Sequence, residues 1–172
     1  AGLVLMTFIA GCQRSKELIP TVSLTNNNVL LPTITFSVKD TSDFYVQYWQ
    51  HDSPNEIQTS KVSSGIDHRI VLMNVKAQRK YNYIVYNAET KEPSQTFSFE
   101  TGSLPFDIIS TKKKLIDSTL FEGFILIRKV APRGSDVILD NKGDIVWYHL
   151  YDTAVRRASS WTANNTILST YD

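Results

Sequence analysis

Shortages exclude more here than abundances suggest. A single cysteine, Cys12, stands among 172 residues, so no internal disulfide can form. Eighteen Lys and Arg against seventeen Asp and Glu leave a net charge of +1, too even for a global field that would draw nucleic acid. No apolar run approaches the roughly 20 residues that span a bilayer as a helix. The three histidines, His51, His68 and His149, are not joined by HExxH or any zinc spacing, and there is neither a P-loop nor a serine elbow. Residues 20–101 contain no segment with helical periodicity. What is present is 42% hydrophobic and 11% aromatic content, ample for a packed core.

The first eleven residues, AGLVLMTFIAG, carry no charge and run directly into Cys12. They are too short to span a membrane but the right length for the apolar part of a secretion signal. Ile9-Ala10-Gly11-Cys12 resembles the bacterial lipobox, in which the cysteine thiol receives a diacylglycerol before cleavage on its N-terminal side. That resemblance implies a signal peptide over 1–11, lipidation at Cys12, a polar tether over 12–19 and a body facing the periplasm or the cell exterior. Acyl chains would anchor it, each buried CH₂ contributing about 0.8 kcal/mol of membrane affinity. The alternative is a buried N-terminal strand with an inert thiol. With no initiator Met and no basic segment ahead of the apolar run, more sequence is expected upstream.

From residue 20 to 101 short strand-like runs alternate with turn signals about every ten residues, the rhythm of an all-β sandwich. Val22-Ser23-Leu24 alternates, Asn26-Asn27-Asn28 turns, and Thr33 to Val38 puts Ile34, Phe36 and Val38 on one face. Phe44 to Trp49 follows as a separate strand, then a polar loop at Ser53-Pro54-Asn55. Val75 and Tyr81 hold the spacing at which a segment resembling the fibronectin type III fold places a core tyrosine, its hydroxyl bonded to upstream backbone. Ala77 and Arg79 stand where that family usually has proline and threonine. Gln95 to Thr101 resembles the closing strand of such a domain. His51 and His68 lie beside predicted loops and are expected to be solvated, without a metal or acid–base role.

Gly102-Ser103-Leu104-Pro105 is a composition break and marks the expected boundary with a second region, 106–172. Phe106 to Thr111 reads as a strand, and Lys112-Lys113-Lys114 as a solvated turn or edge that could also touch anionic lipid head groups. Phe124 to Ile127, Val155 to Trp161 and Thr166 to Tyr171 are further strands. Between them lies Asp136 to Tyr148, DVILDNKGDIVWY, two apolar runs folded about Asn141-Lys142-Gly143, with Gly143 able to take the left-handed conformation of a turn with a bulge. Neither run alternates, so both faces of each strand should be covered, as in a propeller blade between its neighbours. Asp140 to Asp144 lacks the acidic spacing of a calcium loop and is better read as that turn.

The run from Gly123 to Asp172, with its D-N-x-G-x-I-V-W-Y hairpin and N-N-x-I-L strand, resembles the first propeller blade of the bacterial aryl-sulfate sulfotransferases. In that family a small N-terminal β-sandwich precedes a six-bladed propeller. The resemblance implies an all-β chain in which a fibronectin type III-like or immunoglobulin-like sandwich (20–101), a linker (102–105) and the start of a six-bladed β-propeller (106–172) follow one another. It also implies transfer of a sulfo group from an aryl sulfate to a phenol through a sulfohistidine, without nucleotide, cofactor or metal. The family's catalytic positions fall on later blades, beyond Asp172. No catalytic residue is therefore assigned here. His149 is expected at a strand end, and nothing in the spacing selects one of Arg128, Arg133, Arg156 and Arg157. Two other readings remain open: a noncatalytic surface lipoprotein that binds glycan or protein, and a propeller enzyme of different chemistry, such as a quinoprotein dehydrogenase or a lyase.

Overall fold

The computed structural model describes residues 18–24, 28–106, 108, 123–130, 133–152, 159–161 and 167–169. Cys12, Lys112 to Lys114, Arg156 and Arg157 lie outside the described residues, as do most of the strand expected over 106–111 and the turn at Asn164-Asn165. The chain is all-β, with no helix among the described residues.

Six strands form the first sheet: β1 (Thr21–Leu24), β2 (Pro32–Gln50), β3 (Gln58–Thr59), β4 (Ser63–Val71), β5 (Lys80–Asn87) and β6 (Phe97–Glu100), every pairing antiparallel. The sequence suggests two separate strands over 33–38 and 44–49, but β2 is continuous through both. Its first half lies between β1 and the end of β4, with Ile34 opposite Val22 and Ile70. Its second half pairs with β5, Val46 opposite Val85 and Tyr48 opposite Tyr83, with β3 on the other side. Between Ser37 and Ser42 the register against β4 slips, and the intervening Lys39, Asp40 and Thr41 are exposed. Extra residues on one strand bend it and raise its twist, so β2 carries the chain round a corner without leaving the ladder. β1 does not alternate in burial as expected: all four residues are exposed, because it is an edge strand.

The inward faces follow from side-chain alternation. Ile34, Val46, Tyr48, Tyr81, Tyr83 and Val85 are buried, closed at the ends by Leu30, Leu72 and Val75. Two tyrosines have their hydroxyls tied to loop backbone. Tyr81 accepts from the Lys76 N–H at 2.9 Å, the bond that the Val75/Tyr81 spacing suggests. Tyr48 accepts from the Met73 N–H at 3.2 Å and donates to the Met73 carbonyl at 2.7 Å. Each ring contributes apolar burial while its polar tip is satisfied.

A three-stranded meander follows, β7 (Ile125–Lys129), β8 (Ser135–Leu139) and β9 (Ile145–Leu150), with a short pair β10 (Ser159–Trp161) and β11 (Ile167–Ser169) beyond it. β8 and β9 are the expected hairpin. Gly143 has φ 74°, and its N–H donates to the Asp140 carbonyl at 2.9 Å, closing the turn. Leu139 faces Ile145 while Ile138 faces Trp147, so Val146 is an extra residue and the strand bulges there. That bulge explains how the adjacent Ile145 and Val146 are both buried, which strict alternation would forbid.

β8 is covered on both sides, as its unbroken apolar run suggests, but the cover on one side is the first sheet's own core. Val137, Leu139, Ile145 and Tyr148 belong to one hydrophobic cluster with Leu30, Val75 and Tyr81. The segment between the regions packs as well: Leu104 lies against that cluster, the Gly102 carbonyl accepts from the Gln78 N–H, and a Cβ on Gly102 would stand 3.2 Å from Val29 Cγ1.

Candidate functional site

Two polar clusters carry the chemistry visible in the described residues, both built around the β8–β9 hairpin. The first is the seam with the first sheet. Asp140 opens the turn, and its Oδ1 accepts from the Lys142 and Asp144 N–H groups at 3.0 and 2.8 Å, so the carboxylate fixes the turn it begins. Its Oδ2 lies 3.2 Å from Lys76 Nζ, and Asp144 Oδ2 lies 2.6 Å from the same nitrogen. Burial by itself would lower the Lys76 pKa, but the hydrogen bonds to Asp144 and Asp140 outweigh it and raise the value above that of an ordinary lysine. Lys142 reaches Glu56 across the seam at 3.0 Å, an exposed pair in which the hydrogen bond and charge of Lys142 lower the Glu56 pKa.

Asn28 completes the seam from the other side. Its Nδ2 donates to the Tyr148 carbonyl at 3.0 Å while its Oδ1 accepts from the Leu30 N–H, and the Tyr148 hydroxyl accepts from Val29 N–H at 3.3 Å. Buried amides like this one must be satisfied, which makes the contact directional as well as adhesive. Asn28 reads in sequence only as one of three turn asparagines, and Lys76 as a polar residue in the Val75/Tyr81 segment. A local pattern cannot register a partner more than sixty residues away.

The second cluster lies on the opposite face of the meander. Asp136, paired with Arg128 across β7 and β8, is 1% exposed. Arg128 grips it with both arms of the guanidinium, Nε to Oδ1 at 2.6 Å and Nη2 to Oδ2 at 2.8 Å. The Tyr151 hydroxyl donates to Asp136 Oδ2 at 2.6 Å and accepts from Arg128 Nη2 at 2.9 Å. The Asp136 hydrogen bonds raise the Arg128 pKa. These charge-assisted bonds tie β7, β8 and the residue that follows β9 to one another. Arg133 turns toward the same corner, its Nε donating to the Tyr151 carbonyl at 2.6 Å.

The histidines part company. His51 is exposed at the end of β2 and bonds the Asn82 amide at 3.2 Å. His149 is exposed on β9, at the strand end expected for it, stacked on Trp147 and edge-on to Tyr151 at 4.6 Å. His68 corrects its sequence reading as a solvated loop residue. It lies within β4, 2% exposed, stacked on Phe36 at 4.7 Å and edge-on to Phe44 at 4.9 Å. Nδ1 meets Ser63 Oγ at 3.3 Å and Nε2 has no hydrogen-bond partner. The in-phase neighbour Ile70 was the available signal that His68 belongs to a strand, while Ile66, at the register slip, is exposed.

Among the described residues no cluster of His, Cys, Asp and Glu could hold a metal ion, and no helix is long and apolar enough to cross a membrane. Comparison with protein-family models, with curated proteins and with solved structures finds no match to the chain.

Proposed function

We propose that these residues form the N-terminal part of a lipid-anchored bacterial aryl-sulfate sulfotransferase, a fibronectin type III-like sandwich leading into the first blade of a six-bladed propeller. The observation that carries the reading is the DNKGDIVWY hairpin seated on the first sheet through Asn28 and Lys76. A sandwich order is supported by the corner in β2, whose first half pairs with β1 and whose second half pairs with β3 and β5 while β4 follows it round the bend. A blade is supported by the meander β7–β8–β9 and the burial of β8 on both faces. In this reading Cys12 bears the anchor and the body faces the periplasm or cell exterior. The seam sets the orientation of the first blade, and with it the axis around which later blades would close.

The reaction proceeds in two displacements. A histidine nitrogen attacks the sulfur of an aryl sulfate, the S–O bond to the ring breaks and a phenolate departs. An acceptor phenol then loses its proton, its oxygen attacks the sulfur of the sulfohistidine, and the S–N bond breaks. In this reading the nucleophile belongs to later blades: His68 is enclosed by two phenylalanine rings, His51 bonds the Asn82 amide and His149 lies against Trp147 and Tyr151. Assaying the full-length gene product for release of 4-nitrophenol from 4-nitrophenyl sulfate tests this. Release that depends on added phenol supports the transferase; a full propeller without phenol-dependent release overturns it. The second reading, a noncatalytic surface lipoprotein, is favoured by one observation, an aromatic outer face on the first sheet.

A further inference from the structure

The strand ladder that buries Val46, Tyr48, Tyr83 and Val85 turns their neighbours outward. On the outer face of β2 and β5 three rows result: Tyr45 beside Tyr86, Gln47 beside Ile84, and Trp49 beside Asn82. None of the four apolar side chains among them joins the hydrophobic core cluster, and all six residues are partly exposed. Tyr45 and Tyr86 stack at 5.2 Å with their planes 7° apart, and Lys91 Nζ lies 5.6 Å from the Tyr45 centroid at the margin. Asn82 is steadied by its contact with His51. No Asp, Glu, Lys or Arg occurs in the three rows.

This composition selects a ligand chemistry. Aromatic rings on an exposed sheet offer flat apolar area at little entropic cost. The interleaved amides each carry two donors and an acceptor, which suits hydroxyl groups that both give and accept. The absence of charge in the rows matches an uncharged ligand, and the cation at their margin, Lys91, is turned onto the Tyr45 ring and bonded to the Ala88 carbonyl. From Tyr45 to Trp49 the strand runs roughly 13 Å, room for several linked rings and more than one sugar needs. The geometry points to a binding face for a neutral oligosaccharide, whose C–H surfaces lie on the rings while its hydroxyls meet Gln47 and Asn82. This face stands apart from the sulfo-transfer reading and does not depend on it.

Titration of the 172-residue chain with neutral oligosaccharides (cellohexaose, xylohexaose and mannohexaose), followed by tryptophan fluorescence and calorimetry, tests the face. Saturable binding of at least one is expected, weakened tenfold or more by Trp49→Ala and by Tyr86→Ala. The double variant Gln47→Ala/Asn82→Ala, which removes no ring, should weaken it severalfold, and Ile66→Ala on β4 should leave it unchanged. Circular dichroism and the thermal midpoint identify variants that have unfolded, and the amide double variant then decides. No saturable binding, binding unaffected by these substitutions, or tighter salt-dependent binding of a polyanion such as heparin would overturn the assignment. Self-association abolished by Trp49→Ala would do so as well, by making the face an interface between copies.

Discussion

At the scale of single residues, burial and partnership are separate questions, and Asp136 shows why. A carboxylate 1% exposed is tolerable because it is paired, and Arg128 and Tyr151 bond its oxygens. Arg128→Met leaves that charge without its cation and is expected to cost about 3–5 kcal/mol, read as a drop in the denaturant midpoint. Replacing both, Arg128→Met with Asp136→Leu, should recover most of the loss, since an apolar pair of similar volume is often as stable as a buried ion pair. If the double variant is no better than the single one, the cluster is not acting as a closed pair. The three residues were each visible in the sequence, but their meeting was not. Arg128 and Asp136 are brought opposite by the β7–β8 register, and Tyr151 lies beyond the end of β9. His68 illustrates the opposite failure. It was weighed by its polar type, and the period around it is divided, since Ile70 on the same phase is buried and Ile66 is exposed.

At the scale of elements, the hairpin was the most legible part of the chain, because its cause is local. Asp140 and Gly143 make the turn by short-range bonding and a left-handed backbone, both written in the local sequence. Gly143→Ala should therefore destabilise by about 1 kcal/mol or more, since φ of 74° is costly for a residue with a Cβ. Asn at this position tolerates the conformation better, so Gly143→Asn is expected to lose less than Gly143→Ala in the same equilibrium unfolding measurement. Equal losses would indicate that the turn relaxes to another geometry. The continuous β2 was less legible. Its corner at Lys39-Asp40-Thr41 reads as a polar break, and whether such a break ends a strand or bends it depends on whether one partner strand spans both halves. β4 does so, and a local reading has no access to that.

At the scale of the molecule, the two regions behave as one packed body through the shared cluster and the seam. Lys76→Met removes the cation between Asp140 and Asp144 and should lower stability by about 1–3 kcal/mol, the range for charge-assisted bonds of partly buried groups. If the regions are coupled, one unfolding transition persists and moves as a whole. Two separate transitions already present in the parent chain would show the seam to be weak. Alkaline unfolding has a definite sign. Burial raises the Tyr48 and Tyr83 pKa values from 10.0 to about 12, and also raises those of Tyr81 and Tyr148. The folded state thus holds these protons more tightly than the unfolded chain. Their stabilisation is complete below about pH 10 and is lost as pH climbs toward 12. The phenolate absorbance of these four tyrosines should rise cooperatively with loss of structure in that window.

The proposed function rests on a covalent sulfohistidine, and the most direct measurement is to look for it. The full-length gene product is mixed with 4-nitrophenyl sulfate in the absence of any phenol acceptor, and early product release and protein mass are followed together. The account predicts a burst of about one equivalent of 4-nitrophenol and a sulfo group on a histidine other than His51, His68 and His149, discharged when phenol is added. Phenol-dependent turnover with no burst and no modified histidine would contradict it, and so would a sulfo group carried by any of those three.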